Sequence, residues 1–252
     1  DHMAYDGLTD AYDRESMGAS TERHNARYEL TREAQDAVAA LSHQRAAAAQ
    51  AAGVFDDEIV TVSVPQRRGE PLLVTADEGI RPDTTVESLA GLRAAFAEGG
   101  TITAGNSSQI SDGASAVVVT TRALAAEKGW PVLVTVGASG QTAGPDNSLQ
   151  AQPARAIERA CEKQGISPSD LDLVEINEAF GAVVARSQVE LGLDPALVNI
   201  HGGGIAIGHP IGASGNRLVV HLAHELARRG SGTAAVGLCG GGGQGEALIL
   251  TR

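Results

Sequence analysis

Short apolar runs alternate with amphipathic stretches along most of the chain. Apolar positions at helical spacing, bracketed by cap residues, predict helices. The first covers 31–52: Thr31 caps it, Glu33 lies in its first turn and Gly53 ends it. Further helices are predicted over 86–96, 121–128, 153–164 and 179–191, with Pro153 at a first helical position that suits it. A last helix follows Ser214, carries Leu218, Val219, Leu222 and Leu226, and closes at Arg228, Arg229 and Gly230. Alternation and short apolar runs predict strands at 58–64, 72–75, 114–120, 132–136, 173–176, 234–238 and 247–250. Residues 1–30 read as loop with short helices, and 137–152 as a long glycine-rich and polar loop. Apolar strands alternating with helices predict a layered α/β architecture, its strands buried on both faces.

Composition refines this picture. The 252 residues are 42% hydrophobic, enough for a core, but only 3% aromatic, so packing rests on Ala, Val, Leu and Ile. The net charge of −12 argues against nucleic acid or an anionic membrane as partner, because both need a basic face. Two cysteines, Cys161 and Cys239, are too few for a disulfide scaffold and fit a reducing compartment. With no apolar run of membrane-spanning length and no signal-peptide pattern, the expected setting is the cytoplasm.

Candidate chemistry collects in three stretches. In 198–217, glycines crowd around His209, and Pro210 biases it away from helix, so His209 should sit in a tight loop delivered to a helix start. Helix starts favour anionic or oxyanionic ligands. On this stretch alone, a structural glycine turn with an incidental histidine is an equal reading. In 238–246, Cys239 opens a bare-backbone loop between two strands, where a thiol can act as nucleophile or base. In 174–180, Asn177 and Glu178 interrupt a strand-like run; such polar groups either hold loops together or face a site. Arg81, before Pro82, reads as an exposed cation in a surface salt bridge. Cys161 and His201 read as structural, and the remaining histidines lack ligand spacing, so no metal site is expected.

Asn-Glu-Ala-Phe at 177–180, Gly-His-Pro at 208–210 and Cys-Gly-Gly at 239–241 stand in the order and at about the spacing of thiolase motifs. The chain resembles that family, which includes acetyl-CoA acetyltransferases and 3-ketoacyl-CoA thiolases. Met17-Gly18, the 77–82 segment Asp-Glu-Gly-Ile-Arg-Pro and the 103–108 segment Thr-Ala-Gly-Asn-Ser-Ser extend the likeness. The resemblance implies the thiolase fold, a layered α/β/α arrangement of two similar halves with a loop domain. It assigns 1–104 to the loop domain that covers coenzyme A. It assigns 105–129 to the last strand and helix of the N-terminal half, and 130–252 to the C-terminal domain. The N-terminal half is then largely absent, including the family's acylated cysteine, whose context neither Cys161 nor Cys239 matches. The chain alone is therefore expected to be inactive, and its 114–120 strand to lack sheet neighbours.

The same resemblance implies an acyltransferase: Claisen condensation and thiolysis of acetyl-CoA and 3-oxoacyl-CoA, with acetoacetyl-CoA foremost, within fatty acid metabolism. His209 matches the histidine that activates the nucleophile, Cys239 the acid/base thiol, Asn177 the asparagine holding an oxyanion-hole water, and Gly241 a backbone donor to the second hole. Ser108 matches a pantetheine contact, Arg81 and Ser88 the nucleotide end, and Met17 and Phe180 the acyl pocket. Ser16 and the 141–145 segment Gln-Thr-Ala-Gly-Pro depart from the family pattern, which leaves chain-length preference open. No cofactor is implied beyond the coenzyme A thioester as substrate, and the implied assembly is a homodimer or homotetramer. Two alternatives stand beside this: a thioester-handling relative that lacks thiolysis, and a non-catalytic half acting through binding or assembly.

Overall fold

The computed structural model describes residues 1–252. Local chemistry sets the helix starts. Helix α1 (Met17–Asn25) begins at Ser16, whose side chain accepts from the Ala19 N–H. Helix α2 (Arg32–Ala51) begins at Thr31, which accepts from the Ala34 N–H. Strands β1 (Val62–Val64) and β2 (Leu72–Val74) form an exposed antiparallel hairpin of their own. Helices α3 (Val86–Ala90) and α4 (Arg122–Lys128) follow.

The second half of the chain builds a four-stranded sheet in the order β3 (Thr135–Ala143), β6 (Gln244–Thr251), β5 (Thr233–Gly240), β4 (Leu173–Ile176). Only β4 and β5 run parallel; the other pairings are antiparallel. Side-chain alternation splits the core in two. Val174, Ile176, Ala235 and Ile249 meet Ala156, Ile157 and Ala160 of α5 (Gln152–Gln164) on one face, with α6 (Gly181–Leu191) contributing Val183. Leu173, Ala234, Val236 and Leu250 meet Leu218, Leu222 and Leu226 of α8 (Ser214–Arg229) on the other. Helix α7 (Gly204–Ile207) leads into the loop that carries His209. The sheet lies very close to α5 at Gly140, where a Cβ would stand 1.9 Å from the Ala156 carbonyl oxygen.

Several expected elements differ. Residues 114–120 form no strand, and Val118 and Val119 are 87% and 73% exposed, because no hydrogen-bonding neighbour lies beside them. Strand β3 begins at Thr135, later than expected, and runs on into the 137–152 segment expected as loop, because β6 supplies its partner through a bulge between Val136 and Ser139. The 86–96 helix stops at Ala90: Gly91 caps it, and the chain turns back so that the Ala95 N–H reaches Ile102 O. The 58–64 strand shrinks to Val62–Val64, and Glu58 belongs to the turn after α2. No helix is long and apolar enough to cross a membrane.

Candidate active site

The carboxyl ends of β4 and β5 lie side by side, the usual place for chemistry in an open α/β sheet. Asn177 extends β4 by one residue, its N–H donating to Gly237 O at 2.9 Å. Cys239 lies two residues further along β5, opposite Gly245 of β6. His209 arrives from the loop after α7. Gly208, at φ 95°, turns the chain there, and a Cβ would lie 2.2 Å from Ser111 Oγ. The His209 N–H donates to Gln109 O at 3.1 Å, and the Gln109 amide donates to Ile205 O and Ala206 O. The histidine loop is thus clamped onto residues 109–111.

Asn177 Nδ2 lies 3.2 Å from His209 Nε2. On the other side of the ring, Nδ1 lies 2.6 Å from Ser214 Oγ. The Ser214 hydroxyl donates to Pro210 O, so it accepts from Nδ1–H and leaves Nε2 with its lone pair toward Asn177. Asn177 Oδ1 is a buried acceptor with no protein partner. Burial, reinforced by the Arg217 charge, depresses His209 to about 4, so the ring is a neutral acceptor. Cys239 is only partly covered as a residue, yet desolvation pushes its thiol up to about 12, and a hydrogen bond from its own backbone only partly offsets this. No cation assists it, so the thiol rests protonated.

Glu178 holds the site's walls together. Its carboxylate accepts from Ser42 Oγ on α2 at 2.6 Å, from Asn199 Nδ2 at 2.9 Å and from the Ile205 N–H at 3.0 Å. Burial raises this carboxyl despite those bonds. Gly241 sits in the β5–β6 turn, where a Cβ would approach Met17 Cε to 2.7 Å. Phe180 packs edge-to-face on Phe96, ring centroids 6.2 Å apart, and the Phe96 ring closes over Gly18.

The profile of the thiolase N-terminal domain matches residues 1–123, and that of the thiolase C-terminal domain matches 130–252. The chain belongs to the thiolase family. It is 58% identical over 252 residues to a probable acetyl-CoA acetyltransferase of Mycolicibacterium smegmatis, covering all of this chain and 65% of that protein. It is 57% identical over 250 residues to a namesake from Mycobacterium tuberculosis, covering 99% of this chain and 64% of that one. Among solved structures, the Bacillus anthracis acetyl-CoA acetyltransferase superposes at a TM-score of 0.94 with 40% identity, over 99% of this chain and 63% of that one. Human mitochondrial 3-ketoacyl-CoA thiolase in complex with CoA gives 0.91 and 38%, over 98% and 62%. This thiolase chain thus spans just under two thirds of its relatives' length.

In the thiolase chain, Asn177, His209, Cys239, Gly241, Met17 and Phe180 gather at one end of the sheet. Ser108 joins them through its N–H, which donates to Ala179 O at 3.1 Å. Arg81 and Ser88 share no hydrogen bond with that group. Arg81 makes no ion pair, contrary to the expected surface salt bridge; its N–H donates to His43 Nδ1, a ring that burial keeps neutral. The Ser88 hydroxyl is spent in the capping box of α3 with Thr85. Ser214 and Gln109 are direct neighbours of His209 that motif reading passes over. Only the position of Ser214, opening a helix five residues after His209, signals its role.

Proposed function

We propose that this thiolase chain carries the acid–base side of a Claisen-condensing acyltransferase, acting on acetyl-CoA and 3-oxoacyl-CoA, acetoacetyl-CoA foremost. The observation that carries the reading is the Asn177–His209 pair, with its unpartnered Asn177 Oδ1, standing beside the Cys239 strand end. Relatives named acetyl-CoA acetyltransferase and a structural neighbour solved with CoA support the substrate class. On this reading 1–104 is the coenzyme A-covering loop domain, 105–129 the end of the N-terminal half, and 130–252 the C-terminal domain.

The roles follow from the atoms. His209 Nε2, held as a lone pair, accepts the proton of a nucleophilic thiol and then donates to the enolate oxygen. Asn177 Oδ1 fixes a water that donates to the same oxygen. Donors already in place where an oxyanion develops do most to lower the barrier in such catalysis. A protonated Cys239 gives its proton to the α-carbon in thiolysis; in condensation it takes that proton, against the desolvation that raises it. The Gly241 N–H donates to the tetrahedral intermediate. Met17 and Phe180 line the acyl pocket, Ser108 meets the pantetheine arm, and Arg81 and Ser88 lie toward the nucleotide. Homo-oligomeric assembly and a cytoplasmic setting complete the reading.

Neither cysteine in this chain is poised as the nucleophile: Cys161 is buried on α5 and raised by desolvation, and Cys239 holds the acid–base position. The purified 252-residue chain is therefore expected to leave acetoacetyl-CoA uncleaved in the presence of coenzyme A. Measurable cleavage by the chain alone contradicts this division of roles.

A further inference from the structure

The turn between β5 and β6, Gly241-Gly242-Gly243, carries no side chain with which to fix its own shape. A bare glycine backbone has the most conformational freedom to lose, so such a turn keeps one geometry only where something outside restrains it. Two contacts do so at a single peptide unit. The Gly241 carbonyl oxygen accepts from Gln244 Nε2 at 2.9 Å, and the Gly242 N–H donates to Asp10 Oδ2 at 3.2 Å. Both ends of the 241–242 peptide are thus tied, and rotating it breaks two hydrogen bonds. Asp10 is 1% exposed and stands 232 residues away along the chain. Its other oxygen accepts from the Tyr12 and Asp13 N–H groups at 2.9 and 3.2 Å, so the carboxyl is itself held in place. Gly242, at φ 78°, has no room for a side chain of its own: a Cβ would stand 2.7 Å from Tyr12 Cε2.

We propose that Asp10 is a positioning residue for the Gly241 N–H: together with Gln244 it pins the 241–242 peptide unit and so fixes the turn that aims this donor at the reacting carbonyl. The inference rests on the reading of Gly241 as a donor to the tetrahedral intermediate. Such a donor is most effective when it already points at the developing oxyanion, and a misplacement of about 1 Å can cost roughly a hundredfold in rate. The run Gly240–Gly243 cannot order itself to that precision. Asp10 supplies the order from the N-terminal segment, and on the far side of the turn the Gly144 N–H donates to Gly243 O at 2.9 Å.

The test uses the thiolase that carries this chain together with the nucleophilic cysteine. Asp10→Asn has one acceptor oxygen where Asp10 uses two, so it loses either the Gly242 tie or its own anchorage to Tyr12 and Asp13. Its kcat for acetoacetyl-CoA cleavage should fall about tenfold or more, with KM for acetoacetyl-CoA and coenzyme A within about twofold of wild type. Gln244→Ala, at an exposed position, should show the same split. Because both side chains hold one peptide unit, the double variant should lose less than the product of the two single losses. A wild-type kcat in Asp10→Asn, a loss confined to KM, or losses that multiply in the double variant overturn the proposal. Should Asp10→Asn not fold, the kcat of Gln244→Ala and hydrogen exchange at the wild-type Gly242 amide decide. A tenfold lower kcat with a protected amide supports the proposal; an unchanged kcat, or exchange at the rate of a free glycine amide, overturns it. Turnover by the wild-type thiolase tests the acyltransfer reading and the ratio of variant to wild type tests this one, so the two fail separately.

Discussion

His209 serves as a base only in the tautomer that exposes Nε2, and Ser214 selects that tautomer by accepting from Nδ1–H while donating to Pro210 O. Ser214→Ala leaves a buried N–H without a partner, which costs about 1–3 kcal/mol. In a thiolase carrying the nucleophile, kcat/KM for acetoacetyl-CoA cleavage should therefore fall about tenfold to a hundredfold. A second buried network lies two turns further along α8: His221 Nδ1 meets Glu58 Oε1 at 2.9 Å, and His221 Nε2 meets His201 Nδ1 at 3.1 Å. Burial pulls both rings down. It takes His201 to about 4, but the Glu58 hydrogen bond and the Glu175 and Glu58 charges outweigh it at His221, which is raised. A raised histidine stabilises the fold fully below its unfolded value of 6.5, and that contribution is lost as pH rises through the folded value. Urea midpoints of wild type and His221→Gln should thus differ most below the unfolded value of 6.5, and the gap should narrow as pH rises through the raised folded value. A gap that widens with pH contradicts the assignment.

Helix α8 does two jobs at the element scale, presenting Ser214 at its start and burying Leu218, Leu222 and Leu226 against the sheet. Leu222→Ala should cost about 2–5 kcal/mol in urea unfolding. Val118→Thr, in the exposed extended segment, should change stability by no more than about 0.5 kcal/mol. A large effect at Val118 would mean that the segment is packed. Helices α2, α5 and α8 are legible in the sequence because caps and apolar spacing both mark them, from Thr31, Pro153 and Ser214 onward. So is β4–β5 with its Asn177 and Cys239, because apolar runs end there in residues that demand a partner. Strand β3 is hidden in its Gly137–Ala143 part, which is small and polar, and only pairing with β6 makes it a strand. Residues 114–120 mislead in the opposite sense: strand-forming side chains without a neighbour to bond. Gln109 clamps the histidine loop through contacts with Ile205 and Ala206, distant along the chain, that no local pattern encodes.

At the scale of the whole molecule, the exposed 116–120 segment, Trp130, Val132 and Val136 border a cleft of roughly 740 Å³ against Val219 and Ala223 of α8. Trp130, the only tryptophan, is 49% exposed there and reports directly on that face. Its emission should be readily quenched by acrylamide. A shielded tryptophan would mean that the cleft is covered. The most direct test of the acid–base reading follows the two half-reactions separately in the thiolase that carries both this chain and the nucleophilic cysteine. With Cys239→Ala, acetylation by acetyl-CoA should persist, while condensation to acetoacetyl-CoA should fall by about a hundredfold or more. Condensation at the wild-type rate would contradict the role assigned to Cys239 and, with it, the acid–base site at the end of β4 and β5.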